Sequence, residues 1–391
     1  MDLFTREEKK VEYLELIYDL VFVYMVGRNN SLLEPVEGGF ISPASFLSYV
    51  ICTLAIIQIW NFTTFYINMF GRNGLRDHVF LCINMYLMYF IGEATRHDWL
   101  AYKEQYHIAW ALILVNIGVQ YVIELRNHET DVWNRDLIKR MALTLFVEAA
   151  IALAAGFPGP VLVTALSAAA ILTGILLTAV GKKVSPGGMV DFAHLTERAM
   201  LYVVFTFGEM IIALAVYFKG DGSFDPSVIY YSLMGFLIVV GLFLSYEMLY
   251  DHLLDRERAD NGFKYMVIHI FIIFALNNIT ASLEFMREED VALMPKMIFL
   301  VASVIAYYAF LFLTRGYTRA ACRMDGPFFA RLIALTAVFA VLMITLREHS
   351  YAHIFITVAY IFAVFGALYE ARLRTEEVLA KENDMQRRDC R

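Results

Sequence analysis

Glu15 and Asp19 stand four residues apart in an otherwise apolar run, a spacing that puts both carboxylates on one face of an α-helix. In a low dielectric two such acids do not both ionise without compensation, which a shared proton, a bound cation or a basic partner has to supply. Proton or cation exchange is therefore the chemistry this pair is suited to. Glu247 and Asp251 repeat the spacing later in the chain, with Arg256 and Arg258 just beyond them and able to snorkel back. Asn116, Gln120 and Glu124 follow one another at four-residue steps, and Gln58, Asn61, Thr64 and Asn68 at steps of three and four. Polar stripes of this kind either join helices by hydrogen bonds or line a wet path. Glu148 and Glu209 fall near the middle of two further apolar runs, and for His269 a core hydrogen bond is the expectation.

The elements that must hold these residues are set by composition. Of 391 residues 59% are hydrophobic and 18% charged, with mean hydropathy +0.57, against about 45–50% apolar and about 25% charged in an ordinary soluble domain. Runs of about 20 apolar residues, each able to cross a hydrocarbon layer of about 30 Å, recur along the chain. They predict an all-α transmembrane bundle with spans near 11–27, 45–69, 78–96, 105–124, 138–156, 159–180, 198–218, 228–250, 265–286, 293–314, 328–346 and 351–371. Inside a bilayer an ionisable side chain costs at least about 2.5–3.5 kcal/mol. The acids present, together with amides of the polar stripes, mark the expected proton, cation or substrate site: Glu15, Asp19, Asn61, Asn116, Gln120, Glu209, Glu247 and Asp251.

Charge gives the orientation. With twelve spans, 25 of the 32 lysines and arginines fall on the side of the N-terminus, so both termini are expected in the cytoplasm. The first run carries Glu12, Glu15 and Asp19 with no small-residue cleavage site after it, and is expected to remain in the mature protein. Gly156-Phe157-Pro158-Gly159-Pro160 predicts a tight turn between spans five and six. Residues 1–181 and 198–371 read as two six-span halves inserted the same way, joined by a cytoplasmic loop at 182–197 and followed by a charged tail at 372–391. Offsets near 184–185 residues align Tyr18-Asp19 with the entry to span seven and Tyr66 with Tyr250, which suggests an internal repeat.

Several classes are excluded or unsupported. The net charge of −7 argues against nucleic acid as a partner. Cys52, Cys82, Cys322 and Cys390 show no paired spacing and, with the histidines, form no metal pattern, so no metal or cofactor is expected. No GxxxxGK[ST] loop is present to bind ATP. Membrane lipids are the expected surroundings, and a small molecule or ion the expected substrate.

The segment from Glu15 to Val23, ELIYDLVFV, resembles the signature opening the bacterial low-temperature-requirement A (LtrA) family. His194-Leu-Thr-Glu-Arg-Ala-Met-Leu-Tyr202 followed by Phe207-Gly-Glu-Met210 resembles a second element of that family. The stretches Trp60 to Tyr66 and Tyr246 to Asp251 are similar to its aromatic ends of spans two and eight. Ile17-Tyr18, Ala199 and Met210 depart from the family pattern, the last removing a hydroxyl beside Glu209. The resemblance implies a multi-span bacterial membrane protein and carries no substrate or reaction with it. Its motifs fall on Glu15, Asp19, His194, Glu197, Arg198, Gly208 and Glu209, of which His194, Glu197 and Arg198 are expected to be gating or structural residues at the entrance of span seven. A proton- or cation-coupled secondary transporter or permeation protein is the leading expectation. The alternatives are a membrane enzyme acting on a lipid or isoprenoid, with the acid pair on a divalent metal, and a sensor or assembly partner.

Overall fold

The computed structural model describes residues 10–389 other than 98, 127–131, 180–189, 219–224, 287, 289 and 323. Among the described residues the chain forms twelve α-helices. The first six are α1 Tyr13–Arg28, α2 Pro43–Phe70, α3 Leu75–His97, α4 Lys103–Glu124, α5 Val132–Ala155 and α6 Pro160–Ala179. The others are α7 Phe192–Ala213, α8 Pro226–Glu247, α9 Phe263–Phe285, α10 Leu293–Leu313, α11 Gly326–Thr345 and α12 Ser350–Asp389. One antiparallel ribbon, β1 Val36–Glu37 with β2 Phe40–Ile41, interrupts them. Gly38 and Gly39 close it with φ of 62° and 87°, the left-handed backbone that a two-residue hairpin turn requires.

Each predicted apolar run holds one of these helices. Eight of them, α2, α4, α6 and α8 to α12, are long and apolar enough to cross a membrane. The remaining four, α1, α3, α5 and α7, carry ionisable residues within their length, Glu15, Asp19, Glu148, Arg198 and Glu209 among them.

Caps fix several starts. Ser42 Oγ accepts from the Ser45 N–H ahead of Pro43 in α2, Asp225 does the same for Ser227 ahead of Pro226 in α8, and Asp325 for Phe328 in α11. A polar cap followed by proline in the first turn satisfies one orphan donor and removes another. The turn predicted at 156–160 lies where expected, with α5 ending at Ala155 and α6 starting at Pro160. Lys103 Nζ donates to the Pro158 carbonyl there.

Two boundaries differ from the sequence reading. α7 begins at Phe192, ahead of the expected 198, because Asp191 Oδ1 accepts from the His194 N–H at 3.1 Å in the manner of an N-cap. His194 and Glu197 are thus helical residues and not loop residues, and residues 182–189 of the expected connecting loop lie outside the described residues. α12 continues to Asp389 as one helix of 40 residues, so the charged tail is an extension of the last apolar helix, laced by an Arg372–Glu376 pair of 2.7 Å.

The chain divides into two compact units, residues 1–205 with 257–274, and residues 206–256 with 275–391; the boundaries fall inside α7, ahead of α9 and inside α9. In the first unit α4 packs against α3 and α5, α5 against α6, and α2 touches α1, α4 and α6. α2 has no charged residue and is buried over nearly its whole length from Ser48 to Phe70. In the second unit α8 and α11 pack on α12, and α8 passes into a π-helical turn at Met248–Leu253. Tyr307 donates to the Leu242 carbonyl at 2.9 Å, fixing α10 against α8 there.

Candidate functional site

α1 presents Glu15 and Asp19 to the start of α7, inside the first unit. Both acids are buried, Glu15 to 4% exposure and Asp19 completely. Between them lies the Arg198 guanidinium, also fully buried. Its Nε donates to Asp19 Oδ2 at 3.1 Å and its Nη2 to Asp19 Oδ1 at 2.6 Å, while Nη1 donates to Glu15 Oε2. The two-pronged contact with Asp19 is the planar match that arginine makes with a carboxylate and lysine does not. Asp19 Oδ1 accepts a third bond, from Trp60 Nε1 of α2 at 2.7 Å. The Trp60 ring in turn lies against Tyr202 of α7, centroids 4.4 Å apart.

His194 completes the group. It is buried, its Nε2 is 3.6 Å from Glu15 Oε2, and its Nδ1 meets the Asn68 amide at 2.9 Å. Asn68 also donates to the Asp191 carbonyl at 2.8 Å and accepts from the Asp191 N–H at 3.0 Å. One amide at the end of α2 therefore holds both the cap of α7 and the imidazole ring.

A neutral network runs beside the charges. Tyr18 OH is 2.8 Å from Thr63 Oγ1 and accepts from Asn84 at 3.5 Å, and Asn116 donates to Asn84 Oδ1 at 2.8 Å. α1, α2, α3 and α4 are joined by it next to Asp19. Asn116 thus reaches the cluster through Asn84 and Tyr18, while Asn61 and Gln120 are buried on the same two helices α2 and α4. Glu124, the last member of the α4 stripe, pairs with Arg76 at 2.6 Å.

The other expected residues lie on α7 and at the end of α8. Glu197 is half-buried on α7. Glu209 is half-buried in the second unit, as is Glu247, whereas Asp251 is exposed. Between Glu247 and Asp251 the backbone passes from α8 into π geometry, at Met248. Arg256 lies over the Tyr250 ring, 5.1 Å from its centroid, and Arg258 pairs with Asp260 at 3.8 Å. His269 Nδ1 meets the Tyr265 carbonyl at 2.9 Å, the core hydrogen bond expected of it.

Trp60, Asn68 and Asp191 are partners that the sequence reading did not name as site residues. The α2 stripe pointed to Asn68, and the aromatic end of span two to Trp60. Glu148 of α5 is a further buried acid, away from the arginine. It accepts from Gln58 Nε2 at 3.4 Å, and Gln58 also donates to the Ile171 carbonyl of α6 at 3.2 Å. Gly174 makes the space: a Cβ there would stand 1.9 Å from Glu148 Oε2 and 2.1 Å from Gln58 Nε2. Gly174→Ala is expected to lower stability by about 1–3 kcal/mol, the usual cost of overpacking. Thermal melting of the purified variant checks this, and an unchanged melting temperature would contradict the close approach.

Among the described residues no group of three or more His, Cys, Asp or Glu side chains is arranged to hold a metal ion. The oxygens of Asp19 are taken by N–H donors from Arg198 and Trp60. What the cluster can do follows from its charge. Two carboxylates and one guanidinium leave one negative charge in a buried place, next to an imidazole. A proton or a monovalent cation balances it.

Eight long apolar helices, in a chain that buries mutually paired acids and an arginine, define a multi-pass α-helical membrane protein. The family model described as bacterial low temperature requirement A protein (LtrA) matches residues 10–365, and the chain belongs to that family. No curated protein and no solved structure matches it.

Proposed function

We propose that this chain is a proton- or cation-coupled secondary transporter or permeation protein of the bacterial inner membrane, and that the Glu15–Asp19–Arg198–His194 cluster is its ion-responsive site. The observation that carries the reading is the uneven charge of that cluster: two buried acids share one buried arginine, 3.6 Å from an imidazole nitrogen. A purely structural ion pair is balanced, because an unmatched buried charge costs several kcal/mol, on the order of the stability of a whole domain. A site that must take up and release a positive charge is not balanced in both of its states. The two-pronged hold on Asp19 makes that acid the fixed member. Glu15, beside His194, is the member that exchanges its proton.

Twelve crossings with both termini inside complete the proposal. α1, α3, α5 and α7 cross as well, with Glu15, Asp19, Glu148 and Arg198 buried, as intramembrane ionisable groups normally are. The two-half organisation with an internal repeat remains part of this reading. The lipid- or isoprenoid-enzyme alternative is the weaker one, because the carboxylate oxygens that a divalent ion would take on Asp19 already accept N–H bonds.

Flux into proteoliposomes tests the function. With an inward proton gradient, a panel of labelled small solutes and cations should contain at least one that accumulates, and collapse of the gradient should stop it. Accumulation of none, or accumulation indifferent to the gradient, counts against coupling. Reporter fusions test the topology: one placed after Arg391 and one within residues 181–193 should both report the cytoplasm, since 25 of 32 basic residues lie on that side. A periplasmic signal from either overturns the twelve-span arrangement.

A further inference from the structure

Glu148 is the buried acid that the arginine cluster does not use. It lies on α5, completely buried, against Gln58 of α2 and Gly174 of α6, all three in the first unit. Gln58 Nε2 donates to Glu148 Oε2 at 3.4 Å and to the Ile171 carbonyl at 3.2 Å. Two oxygens are left over. Glu148 Oε1 and Gln58 Oε1 are both buried, and neither has a hydrogen-bond partner. The Thr144 hydroxyl, one turn earlier on α5, has none either, so it donates to neither of them.

No positive charge stands beside this carboxyl group. α2 and α6 carry no charged residue, and the next one in the chain after Gly174 is Lys182, eight positions on. On α5 the nearest is Arg140, eight residues before Glu148 and so about 12 Å along the helix. α4 packs on α5 with Gly118 beside Phe146, and its ionisable groups lie toward its two ends. Lys103, Glu104 and His107 are at the start, His107 bonded to Ser167 Oγ at 2.7 Å, and Glu124 at the finish is paired with Arg76. A lone buried carboxylate is neutralised, since an unpaired charge away from water costs far more than a hydrogen bond returns. The Gln58 bond agrees: a charged oxygen draws an N–H donor to about 2.7–2.9 Å, and this bond is longer.

The leftover oxygens tell where the neutralising proton sits. A carboxylic acid and a primary amide pair through two hydrogen bonds, the amide N–H donating to one acid oxygen and the acid O–H donating to the amide oxygen. The first of these bonds is present, and the atoms of the second are the two without a partner. We propose that Glu148 and Gln58 form a second proton-binding site, the proton carried on Glu148 Oε1 and donated to Gln58 Oε1. The site is independent of the transport reading and stands or falls without it.

Infrared spectra of the purified full chain at about pH 7 test this, since a solvated glutamate, ionising at about 4.3, is carboxylate there. The difference between wild type and Glu148→Gln should contain the carbonyl stretch of one protonated carboxyl group. The same difference should appear in a Glu15→Gln background, which separates it from the arginine cluster. Glu148→Gln should melt as the wild type does, because an amide in place of a neutral acid removes no charge. Gln58→Met should keep the band and move it to higher frequency, the acid having lost both of its amide contacts. Spectra with sodium, potassium or choline as the only added cation should be alike. No protonated-carboxyl band in the difference, a Glu148→Gln protein that fails to fold, or a band that Gln58→Met leaves in place overturns the proposal. A band present in choline and lost in sodium or potassium overturns it too, and makes the pair a site for a metal cation.

Discussion

Arg198→Met should abolish folded yield, and adding Glu15→Gln with Asp19→Asn should restore most of it. Removing the guanidinium leaves Glu15 and Asp19 facing one another in a place with no water to solvate them. Breaking one buried ion pair costs about 3–5 kcal/mol, and here two acids lose the same partner. A total stability of about 5–15 kcal/mol does not absorb that easily. Neutralising both acids removes the penalty, since replacing a buried ionic group by neutral side chains of similar shape is often close to harmless. The Trp60 N–H would still find the amide oxygen at position 19, so no donor is orphaned there. Yield by fluorescence size exclusion and melting temperature decide the matter. If Arg198→Met alone melts like the wild type, the buried contacts carry none of the weight assigned to them. If the triple variant fails as badly as the single one, charge imbalance is not the reason.

The second large effect has the opposite sign for stability. Glu15→Gln leaves Asp19 and Arg198 as a balanced pair with their two-pronged contact intact, so folded yield and melting temperature should equal or exceed those of the wild type. The amide oxygen still accepts from Arg198 Nη1, and the unmatched charge is gone. Gradient-driven flux in proteoliposomes should fall to the background of empty vesicles, and any residual flux should lose its dependence on pH, because the group that exchanges the proton is missing. Glu15 and Asp19 are both buried, and Arg198 grips Asp19 by two of its nitrogens. Loss of stability in Glu15→Gln together with full, pH-dependent flux would assign the cluster to packing and not to transport.

Much of the molecule is written locally in the chain. Apolar runs of the right length define helices and the membrane class, because burial in lipid and a 1.5 Å rise per residue act on each segment by itself. The four-residue spacing of Glu15 and Asp19 fixes their common face for the same reason, and a capping residue followed by proline marks helix starts at Ser42, Asp225 and Asp325. The family motifs also picked out Arg198 and His194, but as residues at the entrance of a span.

What meets that face was decided only by the tertiary structure. Arg198 lies 179 residues from Asp19, and its long side chain reaches both acids because α7 starts early enough, on the cap provided by Asp191, to carry it there. The α2 stripe makes the point again. Gln58 turns out to serve Glu148 and the α6 backbone, while Asn68 serves Asp191 and His194. Periodicity places polar groups on a side of a helix, but their partners depend on which helices pack together. The π turn that α8 enters at Met248, between Glu247 and Asp251, likewise leaves no mark in the spacing of the letters. Side-chain pairing across a bundle is a non-local choice, made by packing and charge balance together.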